Sequence, residues 1–142
     1  MNANEQVQST GKYSAKWQER FYFFDTYGSP SDPRYKAAIK TLPGFKNKMR
    51  INANVIAFFF GPIYLFVLGL WKKNLAILGI ILAINVVLSV IFAIIGMDFP
   101  KPLNAGLNIA VSMTYALMTN YSYYLKEVKG EQSWNPFQGM RF

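Results

Sequence analysis

Residues 51–71 read INANVIAFFFGPIYLFVLGLW, an apolar run without a single charge but with Gly61 and Pro62 at its middle. At ~1.5 Å of rise per residue the run is long enough to cross a bilayer as one helix. Proline at the centre removes a backbone donor and clashes with the turn before it. Two readings stand. One is a transmembrane helix kinked at Gly61 and Pro62, since membrane helices tolerate proline where neighbours satisfy the freed carbonyl. The other is a re-entrant segment of two arms, each roughly ten residues, that returns to the side it left.

Two further apolar blocks follow. Residues 75–96 hold only Asn85 and Ser89 as polar interruptions and make the clearest spanning helix. Residues 97–102, with Asp98, Pro100 and Lys101, form a tight turn. Residues 103–125 are expected to be apolar enough to span as well, closing on Tyr121, Tyr123 and Tyr124 before Lys126 and Lys129. Between residues 51 and 125 the only charges are Lys72, Lys73, Asp98 and Lys101, all in the two breaks between blocks. The fold expected is therefore an all-α membrane protein: N-terminal amphipathic or cytosolic helices (13–50), a Pro-centred membrane segment (51–71), a transmembrane helical hairpin (75–96 and 103–125) and a tail (126–142).

Residues 1–12 are polar and expected to be disordered, with no signal-peptide core. From Tyr13 to Tyr27 aromatics recur at Tyr13, Trp17, Phe21 and Phe24, with Lys12, Lys16 and Arg20 forming a basic row beside them. Such a helix suits the headgroup layer, with Lys16, Trp17, Arg20, Phe21 and Phe24 at the interface; packing of the aromatics as a small soluble core is the competing reading. Asp32 and Pro33 open a second helix that Pro43-Gly44 stops. The basic FKNKMR stretch then abuts the first apolar block, which places it on the cytoplasmic side. Trp71, Lys72 and Lys73 make a second interface anchor.

Charge distribution bears on topology. With three crossings and a cytoplasmic N-terminus, Lys72, Lys73, Lys126, Lys129 and Arg141 would all face outward. With a re-entrant first block only Lys101 does, which fits the positive-inside bias better.

The chain carries a net charge of +8. In a chain with membrane blocks that charge suits the anionic headgroups of a lipid bilayer, and no nucleic-acid reader motif accompanies it. There is no Cys and no His, so thiol chemistry, zinc ligation and histidine-based acid–base catalysis are excluded. No phosphate-binding glycine loop or nucleophile elbow occurs, so neither an enzyme nor a cofactor is expected. Asn104, Asn108, Ser112, Tyr115 and Thr119 share one face of the third block. Asparagine facing hydrocarbon is costly, so this seam should pair with Asn85 and Ser89, with a second copy of the chain, or with another membrane protein.

KWQERFYFFDTYG at residues 16–28, NANVIAFFFGPIYLFVLGLWKKN at 52–74, NYSYYLKEVKG at 120–130 and the terminal WNPF resemble the YigF-like small bacterial inner-membrane proteins, a domain of unknown function. The resemblance implies a bacterial inner-membrane location and brings no catalytic residues. The expected function is non-enzymatic binding of a membrane-protein partner through the hairpin. An immunity-type protein against a membrane-targeted toxin and an accessory subunit or assembly factor of a transport complex are the alternatives.

Overall fold

Three short helices form where caps and breakers bracket the aromatic N-terminal third. The computed structural model describes residues 13–140; the expected disordered stretch 1–12, Lys12 and Arg141 lie outside the described residues. Helix α1 (Ala15–Tyr27) starts at Ser14, whose side chain accepts from the Trp17 amide, and stops at Gly28 with φ +87°. Helix α2 (Pro33–Thr41) begins as its sequence predicts, with Asp32 accepting from the Arg34 amide and Pro33 in the first turn. Helix α3 (Phe45–Asn52) is formed by the FKNKMR stretch, and Ile51 is its one buried residue.

These helices build a head around the end of the last helix, α6 (Lys101–Glu127). Phe21, Phe23 and Phe24 of α1, Tyr35 and Ile39 of α2 and Ile51 of α3 pack against Tyr124 and Leu125 of α6. Polar tips find partners at the rim. The Tyr35 hydroxyl donates to Asn52 Oδ1 at 2.7 Å, Tyr124 to Asp25 at 3.2 Å and Tyr13 to Glu127 at 2.7 Å. The aromatics of α1 thus pack as a core, one of its two sequence-based readings.

The first apolar block is not one helix from residue 51. Ile51 and Asn52 finish α3, the chain extends at Ala53 and Asn54, and α4 (Val55–Val67) starts with Asn54 accepting from the Ala57 amide. Phe60 leaves helical geometry (φ −124°, ψ 24°) just before Gly61-Pro62, so α4 is two short arms joined at a kink. The Asn54 amide donates to the Ala116 carbonyl at 2.8 Å, Gly61 packs on Tyr115, and Gly69, beyond the second arm, sits against Lys126. Both ends of the segment therefore lie at the head end of α6.

Helices α5 (Trp71–Ile95) and α6 form the hairpin, joined at Gly96, which takes the left-handed conformation at φ +72°. Near the head they share a core with α4 made of Ala57, Leu65, Leu70, Ile77, Tyr115 and Met118. Beyond Ile77 on α5 and before Tyr115 on α6 no residue is buried. Two stretches are long and apolar enough to cross a membrane: Phe45–Val67, which takes in both α3 and α4, and Trp71–Ile95. The third block does not join them, contrary to its sequence-based expectation, because polar residues from Asn104 to Asn120 dilute its apolar content.

Candidate functional site

Helix α1 places Lys16, Trp17 and Arg20 on one side, and Arg20 follows Lys16 by one helical turn. Helix α3 turns Lys46, Met49 and Arg50 toward them, and the extended Ala53-Asn54 step brings the start of α4 underneath. Together with Phe45, Val55, Ile56 and Tyr64 these residues line a half-open groove of about 600 Å³. Four of its lining side chains are cationic and none is acidic.

Arg20 dominates its electrostatics. The residue is only 8% exposed, its Nε donates to the Arg50 carbonyl at 2.8 Å, and its guanidinium carbon lies 4.6 Å from the Trp17 ring centre. Among the described residues it forms no ion pair, and neither terminal nitrogen has a hydrogen-bond partner. Burial pushes the guanidinium below its ordinary value; Tyr64 and Glu19 oppose that shift and the nearby Arg50 charge adds to it. Arg50, by contrast, is paired, with Nη1 3.0 Å from Glu19 Oε2. Lys16 and Lys46 stand exposed at the mouth. A groove of this composition suits an anion that carries an apolar body.

A second polar set lies beneath the groove. Asn120 Nδ2 donates to the carbonyls of Ile51 at 3.0 Å and Ala53 at 3.1 Å, while its Oδ1 accepts from Asn54 Nδ2 at 3.1 Å. This satisfies backbone acceptors that the α3–α4 break would otherwise bury unpaired. The Tyr115 hydroxyl donates to Asn74 Oδ1 at 2.8 Å, and Asn74 Nδ2 reaches the Pro62 carbonyl at 2.9 Å. Lys73 is fully buried with Nζ 3.4 Å from Ser122 Oγ. Among the described residues, no group of three acids converges where a metal ion would sit.

The structure sorts the sequence-derived candidates. Tyr115 and Thr119 of the polar seam are buried, Ser112 is half-buried, and Asn104 and Asn108 are exposed. The expected pairing with Asn85 and Ser89 does not form, because Asn85 folds its amide onto its own helix, donating to Ile81 O at 2.8 Å, and Ser89 is exposed. Of the interface set, Lys16 and Trp71 are exposed and Lys72 is half-buried beside the Trp71 ring. Phe21 and Phe24 are buried, in edge-to-face and tilted ring contacts with the tyrosines of α6. Arg20 is nearly buried at the floor of the groove, Lys73 is fully buried, and Trp17 packs on Tyr123 at 4.6 Å. Gly61 and Pro62 do mark the kink. Sequence reasoning missed Lys46 and Arg50 as groove residues and Asn54, Asn74 and Asn120 as the polar staples. A single asparagine just ahead of an apolar run, as at Asn54, was the signal for a helix start.

Similarity to known proteins follows the same layout. The chain is 39% identical over 136 residues to "Uncharacterized protein YigF" of Escherichia coli (strain K12), covering 93% of this chain and 98% of that one. It is 40% identical over 129 residues to the protein of the same description from Salmonella typhimurium (strain LT2), covering 88% and 93%. No solved structure matches. The profile of the family described as "Protein of unknown function (DUF2628)" matches residues 4–129, a span that takes in the head, the kinked helix α4 and the hairpin, and the chain belongs to this YigF-like family.

Proposed function

We propose that this is a non-enzymatic, multi-pass protein of the bacterial inner membrane, with its N-terminus cytoplasmic, whose hairpin docks another membrane protein. The supporting geometry starts with length. Helix α5 has 25 residues, about 37 Å, enough for a ~30 Å hydrocarbon core, and it leaves Leu82, Val86, Val90 and Ile94 open to the surroundings. If α5 crosses, α6 must return, because Ser122 near its end meets Lys73 at the start of α5. Helix α4, at 13 residues and about 20 Å with both ends near the head, dips in and comes back on this reading.

The observation that carries partner binding is the far half of α6. Asn104 and Asn108 stand exposed with no side-chain hydrogen bond among the described residues. Amides left in hydrocarbon are costly, and a helix from another protein supplies the missing partners. A photoactivatable amino acid at position 108 should yield one discrete protein adduct in intact membranes, whereas the same group at position 109, where Ile109 is 60% exposed on a neighbouring face, should yield lipid adducts. Lipid adducts from both positions would sink the reading.

A further inference from the structure

We infer that the groove between α1, α3 and the start of α4 binds the phosphate of one anionic phospholipid, with the acyl chains leaving along α4. The inference rests on the membrane placement proposed above. Its first support is Arg20, a residue 8% exposed whose two terminal nitrogens have no hydrogen-bond partner among the described residues, and whose neighbouring carboxylate, Glu19, is held in an ion pair by Arg50. With Glu19 engaged by Arg50, the terminal nitrogens of Arg20 are left to face the groove, and a guanidinium matches phosphate geometry through two parallel hydrogen bonds. Lys46 on α3 and Lys16 on α1 add charge from two sides of the mouth.

The second support is the asymmetry of the lining. Cations come from the head, whereas Val55 and Ile56 at the start of α4 are 62% and 53% exposed and continue onto Phe59, which is 70% exposed. A soluble phosphate ester would use the cationic side and leave that apolar surface bare. A phospholipid uses both, and the groove stands where the head gives way to the apolar segments, at headgroup depth on the proposed placement.

The test uses the full chain, reconstituted with equal phosphatidylglycerol and phosphatidylcholine and then released for native mass spectrometry. The wild type should retain one phosphatidylglycerol in preference to phosphatidylcholine. Arg20→Gln should lower that preference about tenfold, the scale of one charge-assisted contact. Because Arg20 also bonds the Arg50 carbonyl, Lys46→Gln serves as a second variant; its side chain is exposed and has no partner among the described residues, so the head should melt as in wild type while the preference still falls. Soluble glycerol phosphate at equal concentration should leave the retained lipid in place; displacement by it would reassign the groove to a soluble ester and overturn the lipid proposal. Equal retention of the two lipids by the wild type, with the protein still resisting extraction from vesicles by alkaline wash, would overturn the headgroup site alone. Release of the protein by that wash would overturn the membrane placement and, with it, this site.

Discussion

A β-carbon at Gly61 would stand 2.5 Å from Cγ of the Tyr115 ring and 2.9 Å from its Cβ, closer than non-bonded carbons allow. Tyr115 cannot swing aside freely, since its hydroxyl is held by Asn74, which in turn holds the Pro62 carbonyl. Gly61→Ala should therefore destabilise the protein by ~1–3 kcal/mol despite the better helix propensity of alanine. Gly79→Ala and Gly106→Ala, where an added carbon meets nothing within 4 Å, should be neutral or mildly stabilising. Thermal unfolding followed by circular dichroism in detergent measures all three, and an unchanged midpoint for Gly61→Ala would show that α4 and α6 are not in close contact. At this scale the sequence was partly legible. Helical spacing put Tyr115 and Thr119 on one face, and both are buried together. Asn54 and Asn120 stand 66 residues apart and meet only once α4 lies along α6, so no local pattern marks them as a pair.

Among the elements, α2 owes its start to one carboxylate. Asp32 accepts from the Arg34 amide at 2.8 Å and from its guanidinium at 3.0 Å, and these bonds hold its carboxyl below the ordinary carboxylate value. A group with a lowered folded value binds its proton less readily when folded than when unfolded. Its contribution is therefore complete above the ordinary aspartate value and is lost as pH falls through the lowered one. Helicity of α2 should be constant through neutral pH and decline in acid. Asp32→Asn, which keeps a capping oxygen, should flatten that decline without removing the helix. Amide exchange across residues 33–41 at graded pH reads this, and an acid decline of the same size in Asp32→Asn would refute the cap as its cause. Helix α2 was legible because Asp-Pro and Pro-Gly bracket it. Helix α3 was not, since it buries Ile51 alone and its lysines read as a charged flank. Proline at position 62 announced a bend in α4, but nothing local in the sequence says that both ends of the segment meet the same end of α6.

Across the whole molecule the basic residues separate cleanly. Apart from Lys101, every described Lys and Arg belongs to the head, to the first turn of α5, or to the end of α6 and the tail beyond it. That tail folds back to the same end, with Trp134 5.4 Å from Trp71 and the Gly139 carbonyl accepting from the Ser31 amide at 3.2 Å. Both described termini therefore lie on one side of the hairpin, about 37 Å of helix away from Asp98 and Lys101 at its tip. On the membrane placement proposed above, the positive-inside bias puts the head side in the cytoplasm. A fluorescent reporter that matures only in the cytoplasm should glow when fused after residue 142. A cysteine introduced at Asp98, in a chain that has no other, should react with a membrane-impermeant maleimide in intact cells. A dark C-terminal reporter together with an unreactive tip would mean that α4 crosses after all. Both ends of α4 would then have to leave α6, breaking the Asn54 amide bond to Ala116 and the packing of Gly69 on Lys126.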